Sequence, residues 1–101
     1  DARGEKRFLG LQPEPREGLR SGHIKNSINL PFQLLINEDG TFKKINELKQ
    51  IFKEKKINIE KDKAFSCGSG ITATILGLAN SIISGKNPVI YDGSWAEYGL
   101  D

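Results

Sequence analysis

The stretch AFSCGSGITATILGLANSIISG, residues 64–85, decides the fold. Its first four residues read as a short buried strand. Ile71, Ile75, Leu78, Ala79, Ile82 and Ile83 then recur at helical spacing until Gly85, a residue suited to the left-handed turn that ends a helix. Between strand and helix stand Cys67, the only cysteine, and the glycines at 68 and 70. Working outward, "SINLP" (27–31) places Ile28 and Leu30 on one face of a strand ended by Pro31, and "PVIYD" (88–92) reads as another strand before the turn "DGSW". Ile45, Leu48, Ile51 and Phe52 predict a second helix, capped by Asn46, with Lys43, Lys44, Lys49, Lys53, Lys55 and Lys56 on its wet face and approach. Strands alternating with helices predict an α/β fold, a parallel sheet flanked by helices. Residues 1–22, with "QPEPREG" among them, predict a long, exposed, extended loop.

Size and composition bound the function. A chain of 101 residues is one domain with a modest core. Its 15 basic and 13 acidic residues leave a net charge of only +2, too little to argue for nucleic acid or for a membrane surface. The longest apolar-leaning run, Ile71 to Ile83, is interrupted by Thr72, Thr74, Asn80 and Ser81, far short of the roughly 20 residues a membrane span requires. A single cysteine forms no internal disulfide, which suits a reducing compartment. The abrupt ends, "DARGEKRF" and "EYGLD", read as those of a piece cut from a longer chain. The choice between cytoplasm and mitochondrion is not written in such a piece.

In a parallel sheet, ligands gather beyond the carboxyl ends of the strands, where Cys67 and Asp92 both fall. A thiol between a strand and a helix N-terminus receives converging N–H groups and the positive end of the helix dipole, which favour the thiolate. Gly68 and Gly70 let the backbone curl around the sulfur, and Ser69 adds a hydroxyl within reach of the sulfur or of a leaving group. An inert buried thiol is the commoner fate of cysteine, but flanking glycines at such a turn favour a nucleophile.

The fragments "PEPREG", "SGHIKNSINLPF", "CGSGITA" and "YDGSW", in this order and spacing, resemble the C-terminal rhodanese-type domain of 3-mercaptopyruvate sulfurtransferases across nearly the whole chain. The resemblance implies a rhodanese-like fold over residues 1–101, preceded in the full chain by an N-terminal rhodanese domain. It implies a Cys67 persulfide formed from 3-mercaptopyruvate with release of pyruvate, and passage of the sulfur to cyanide or to a thiol such as that of thioredoxin. No cofactor or metal is expected. Cys67 and Ser69 become the catalytic pair; Arg7 and Arg16 hold the donor's carboxylate and ketone, with Gly68, Gly70, Ile71 and Thr72 as further donor contacts. In the family a His and an Asp from the N-terminal domain complete the site. His23, in "GHI", is then an orienting or hydrogen-bonding residue, and Asp92 and Trp95 are scaffold. Thiosulfate-using relatives carry basic residues just after the cysteine, where this chain has Gly68 and Ser69.

Three alternatives stand beside this expectation: thiosulfate as donor, a rhodanese-like module retained for binding or regulation, and a cysteine phosphatase. The last requires an arginine closing the loop six positions after the cysteine, and Ala73 occupies that place.

Overall fold

A computed structural model describes residues 1–100. Its helices are α1 (Glu5–Phe8), α2 (Ile45–Glu54), α3 (Ala73–Ser84) and α4 (Ser94–Tyr98), with a 3-10 turn at Phe32–Leu35. Helix α2 begins one residue before the expected cap: Lys44 is the N-cap, no side chain caps it, and Asn46 lies inside the helix. Leu48 and Phe52, one turn apart, bury its inner face against α3 and the 3-10 turn, while Lys49 and Lys53 stay wet. Helix α3 ends as the sequence predicts, with Gly85 left-handed at φ 73°.

The parallel sheet is present only in outline. Phe65 and Ile90 form a parallel bridge, fixed by the Phe65 N–H to Val89 O and the Tyr91 N–H to Phe65 O, each at 2.9 Å. Ala2 N–H donates to Ser66 O, and Leu30 N–H to Asp1 O, while the Asp1 nitrogen donates to Ile28 O. These bonds set four extended segments side by side, in the order 28–30, 1–2, 65–66 and 89–91. No described segment sustains a ladder long enough to count as a strand, so "SINLP" is extended chain and not the strand expected. Pro31 and the 3-10 turn that follows it cut the pairing short; Leu30 is buried, whereas Ile28 is 45% exposed.

The N-terminal 22 residues differ most from expectation. Asp1, Ala2 and Arg3 are buried as the central segment of that outline, and α1 follows them. Phe8 is the buried residue of α1, and its ring stacks on His23 with centroids 3.8 Å apart. His23 Nδ1 donates to Phe8 O at 2.8 Å, so the histidine is engaged in a hydrogen bond.

The α3 stripe is also redrawn. The buried face is Ala73, Leu76, Gly77 and Asn80 with Ala79, while Ile71, Leu78 and Ile82 are exposed. A Cβ on Gly77 would lie 2.9 Å from Pro88 Cβ and 3.0 Å from Ile90 Cδ1, so small residues let α3 settle closely onto the 88–90 segment. That closeness brings the start of α3 over the end of the 65–67 segment, where the cysteine lies.

Candidate active site

The loop after Cys67 takes its shape from α4. Trp95 N–H donates to Cys67 O at 3.0 Å and Ala96 N–H to Gly68 O at 2.8 Å, so the first free amides of α4 are satisfied by carbonyls of the loop. Cys67 N–H donates to Ser94 Oγ at 3.1 Å, and that hydroxyl donates in turn to Tyr91 O at 2.7 Å. With its carbonyls drawn outward, the loop turns its next amides inward. Gly70 N–H donates to Cys67 Sγ at 2.9 Å. Gly70 has φ +96°, and a Cβ there would stand 2.6 Å from Asp92 O, so glycine is required by both conformation and space.

The electrostatics of the thiol are a contest. Burial to 1% exposure pushes the Cys67 thiol up, but the Thr72 hydroxyl, followed by the N–H groups of Ala73, Gly70 and Ser69, outweighs it and brings the thiol below its ordinary value. Thr72 is the N-cap residue of α3, yet its side chain makes no cap hydrogen bond; its hydroxyl serves the sulfur instead. Ser69 reaches the thiolate through its backbone.

Cys67, Gly68, Ser69 and Thr72 form one wall of a cleft of about 280 Å³, and Arg7, Glu14 and Arg16 stand among its other lining residues. That volume lies near the lower end of small-molecule pockets and suits a ligand of a few heavy atoms. Arg7 closes over the loop: a Cβ on Gly68 would lie 2.8 Å from its Nη2. Among the described residues no group of three or more His, Cys, Asp or Glu side chains could hold a metal ion.

The structure thus brings Cys67, Gly68, Ser69, Thr72, Arg7 and Arg16 to one cleft. Gly70 lies behind the sulfur as its amide donor. Ile71 departs from its expected place: it is 73% exposed and does not line the cleft, because the turn into α3 directs it to solvent. Trp95 is buried scaffold, with the Arg3 guanidinium 4.8 Å from its ring centroid.

Two residues of the site escaped sequence reasoning. Arg3, buried to 3% exposure, binds the Asp1 carboxylate through Nε and Nη2, Gly22 O at 2.7 Å, and Glu14 Oε2 at 3.3 Å. Burial, the largest influence, holds its guanidinium below the ordinary arginine value. Glu14 receives Arg7 Nη2 at 2.8 Å and Arg7 Nε at 3.2 Å, a forked pair that raises Arg7 above its ordinary value. The available signal was "PEP": a carboxylate fixed between prolines, close in sequence to three arginines.

A cysteine sulfur that accepts a backbone amide at the carboxyl edge of parallel chain segments defines a cysteine-loop domain of α/β type. The family comparison is specific: the model of the rhodanese-like domain matches residues 1–101, and the chain belongs to that family. It is 46% identical over 99 residues to the 3-mercaptopyruvate sulfurtransferase of Mus musculus, covering 97% of this chain and 33% of that protein. It is 41% identical over 99 residues to the thiosulfate sulfurtransferase of Rattus norvegicus, again covering 97% of this chain and 33% of the relative. The crystal structure of the Tum1 protein from Saccharomyces cerevisiae superposes with a TM-score of 0.83 at 34% identity, over 97% of this chain and 35% of that one. The chain therefore spans about a third of the length of the relatives it matches.

Proposed function

We propose that this domain is the catalytic, C-terminal-type half of a tandem-domain sulfurtransferase that carries sulfur on Cys67, with 3-mercaptopyruvate as donor. The observation that carries the reading is the pairing, in one small cleft, of a thiol held toward thiolate with the guanidinium-bearing residues Arg7 and Arg16. The Cys67 thiolate attacks the donor's thiol sulfur. The carbon–sulfur bond breaks, its electron pair passes to carbon as the enolate of pyruvate, and a proton completes pyruvate. Cys67 is left as a persulfide, whose anion the loop's N–H groups can hold as they hold the thiolate. An acceptor thiolate, such as that of thioredoxin, or cyanide then takes the outer sulfur and restores the Cys67 thiolate. Arg7 and Arg16 would grip carboxylate and ketone in the forked geometry that lysine lacks. Ser69, on the cleft wall, would orient the donor sulfur together with groups from an N-terminal rhodanese-like domain.

Thiosulfate is the second reading, favoured by the similarity to a thiosulfate sulfurtransferase. Against it, Gly68 and Ser69 put no cation beside the sulfur for a dianionic donor. Mass spectrometry after exposure to 3-mercaptopyruvate tests the first reading: Cys67 should gain one sulfur atom, and Cys67→Ser should gain none while remaining folded. Sulfur loading of the serine variant, or none in the parent protein, overturns the proposal. A rhodanese-like module kept only for binding would give the latter result.

A further inference from the structure

Glu14 is the carboxylate among the cleft's lining residues, and nothing in the proposed chemistry uses it. We propose that Glu14 is a positioning residue for donor binding: it clamps the Arg7 guanidinium over the cysteine loop so that one edge is left to receive the donor's carboxylate. The inference rests on the reading of Arg7 as a donor-binding residue.

The clamp is built from both sides. The Glu14 side chain is 1% exposed, and its two oxygens take Nε and Nη2 of Arg7; among the described residues Nη1 has no hydrogen-bond partner. A fork of this kind fixes the plane of the guanidinium as well as its position, which a single contact does not. Glu14 is itself held. Pro13 precedes it and Pro15 follows it; proline fixes its own φ and keeps the residue before it extended, so the carboxylate projects from a stiff stretch of an otherwise irregular loop. Oε2 also accepts from Arg3 Nη1, and Arg3 is locked by the Asp1 carboxylate and by Gly22 O. Arg7 therefore leans on a rigid, charge-balanced frame, whereas its own side chain is 28% exposed and would otherwise sample several rotamers.

Gly68 supplies the matching space, since any Cβ there would lie 2.8 Å from Arg7 Nη2. Clamp and space together place a planar donor group above the cysteine loop. A carboxylate of the donor can meet the free edge without displacing Glu14, so the ordering of Arg7 is complete before the donor arrives.

The test uses the full chain with 3-mercaptopyruvate as the variable substrate. Glu14→Gln removes the charge, and Glu14→Asp keeps the charge but withdraws it by one methylene, which guards against loss of fold in the first variant. In either folded variant KM should rise about tenfold, the loss expected of one charged hydrogen bond, with kcat changed less than twofold. In an Arg7→Gln background the Glu14 substitutions should add nothing to KM, a coupling that a merely structural carboxylate would not produce. An unchanged KM in folded Glu14→Asp, or the same rise with and without Arg7, overturns the role of Glu14 alone. An Arg7→Gln protein with normal KM overturns both this inference and the assignment of Arg7 to the donor.

Discussion

At Cys67, opposing influences of similar kind are resolved by geometry. Burial alone would keep the thiol protonated, and only the Thr72 hydroxyl and three backbone amides reverse that outcome. Two measurements follow. The rate of alkylation of Cys67 against pH should have its midpoint below the roughly 8.5 of a free thiol, and Thr72→Val should move that midpoint upward. Stability carries the same signature with a definite sign. Because the value is depressed in the folded state, the unfolded chain binds more protons in the window between the folded value and the ordinary one, so stability rises with pH there. The melting temperature of the parent protein relative to Cys67→Ser should therefore climb through that window and be level below it. A level difference at all pH values would mean that the loop does not favour the thiolate. The place of Cys67 in the cleft was legible because its glycines and its position before a helix are local facts. The part played by Thr72 was not, since a threonine before a helix reads as a cap until the sulfur is seen to claim its hydroxyl.

Helix α3 shows why an element can be found and yet faced wrongly. Its existence was plain from ITATILGLANSII, but the chain there is apolar nearly all round, and periodicity cannot choose a face when both are apolar. Packing chose the face that carries Ala73, Leu76, Gly77 and Asn80. Gly77 is buried because a close approach to the 88–90 segment excludes bulk, Ala73, Leu76 and Ala79 join the core, and Leu78 and Ile82 are left outside. Leu76→Ala should cost about 2–5 kcal/mol of unfolding free energy in a urea titration, since Leu76 is 1% exposed. Ile82→Ala, at a site 44% exposed, should cost well under half as much. Equal losses would return Ile82 to the core. The strands were legible in type but not in extent: "AFSC" and "PVIYD" pair through Phe65 and Ile90, whereas the partner between "SINLP" and "AFSC" is the 1–2 segment, too short to carry any pattern.

Across the molecule, the site is assembled from distant sequence. Arg7, Glu14 and Arg16 come from the first 16 residues, the thiol from residue 67, and the brace behind the thiol from α4. Ser94, fully buried at φ 48°, joins the last two through its hydroxyl. Ser94→Ala would leave the Cys67 N–H and one bond of Tyr91 O unmet in a buried place, which should cost about 2 kcal/mol in a urea titration. Amide exchange of Gly70 should then quicken together with that of α4, because the loop keeps its shape only while α4 is docked. Fast exchange in α4 with Gly70 still protected would separate the two.

The carbonyls of Cys67 and Gly68 that receive Trp95 and Ala96 set an order of events in a growing chain. A chain made from its amino end has its cysteine long before it has the residues that brace the cysteine. Until Ala96 is in place, nothing turns the carbonyls outward, the amides do not converge, and the thiol titrates as it would in an unstructured peptide. A nascent chain that has not yet reached Ala96, or one truncated before it, thus carries a sulfur without the brace that gathers its amides.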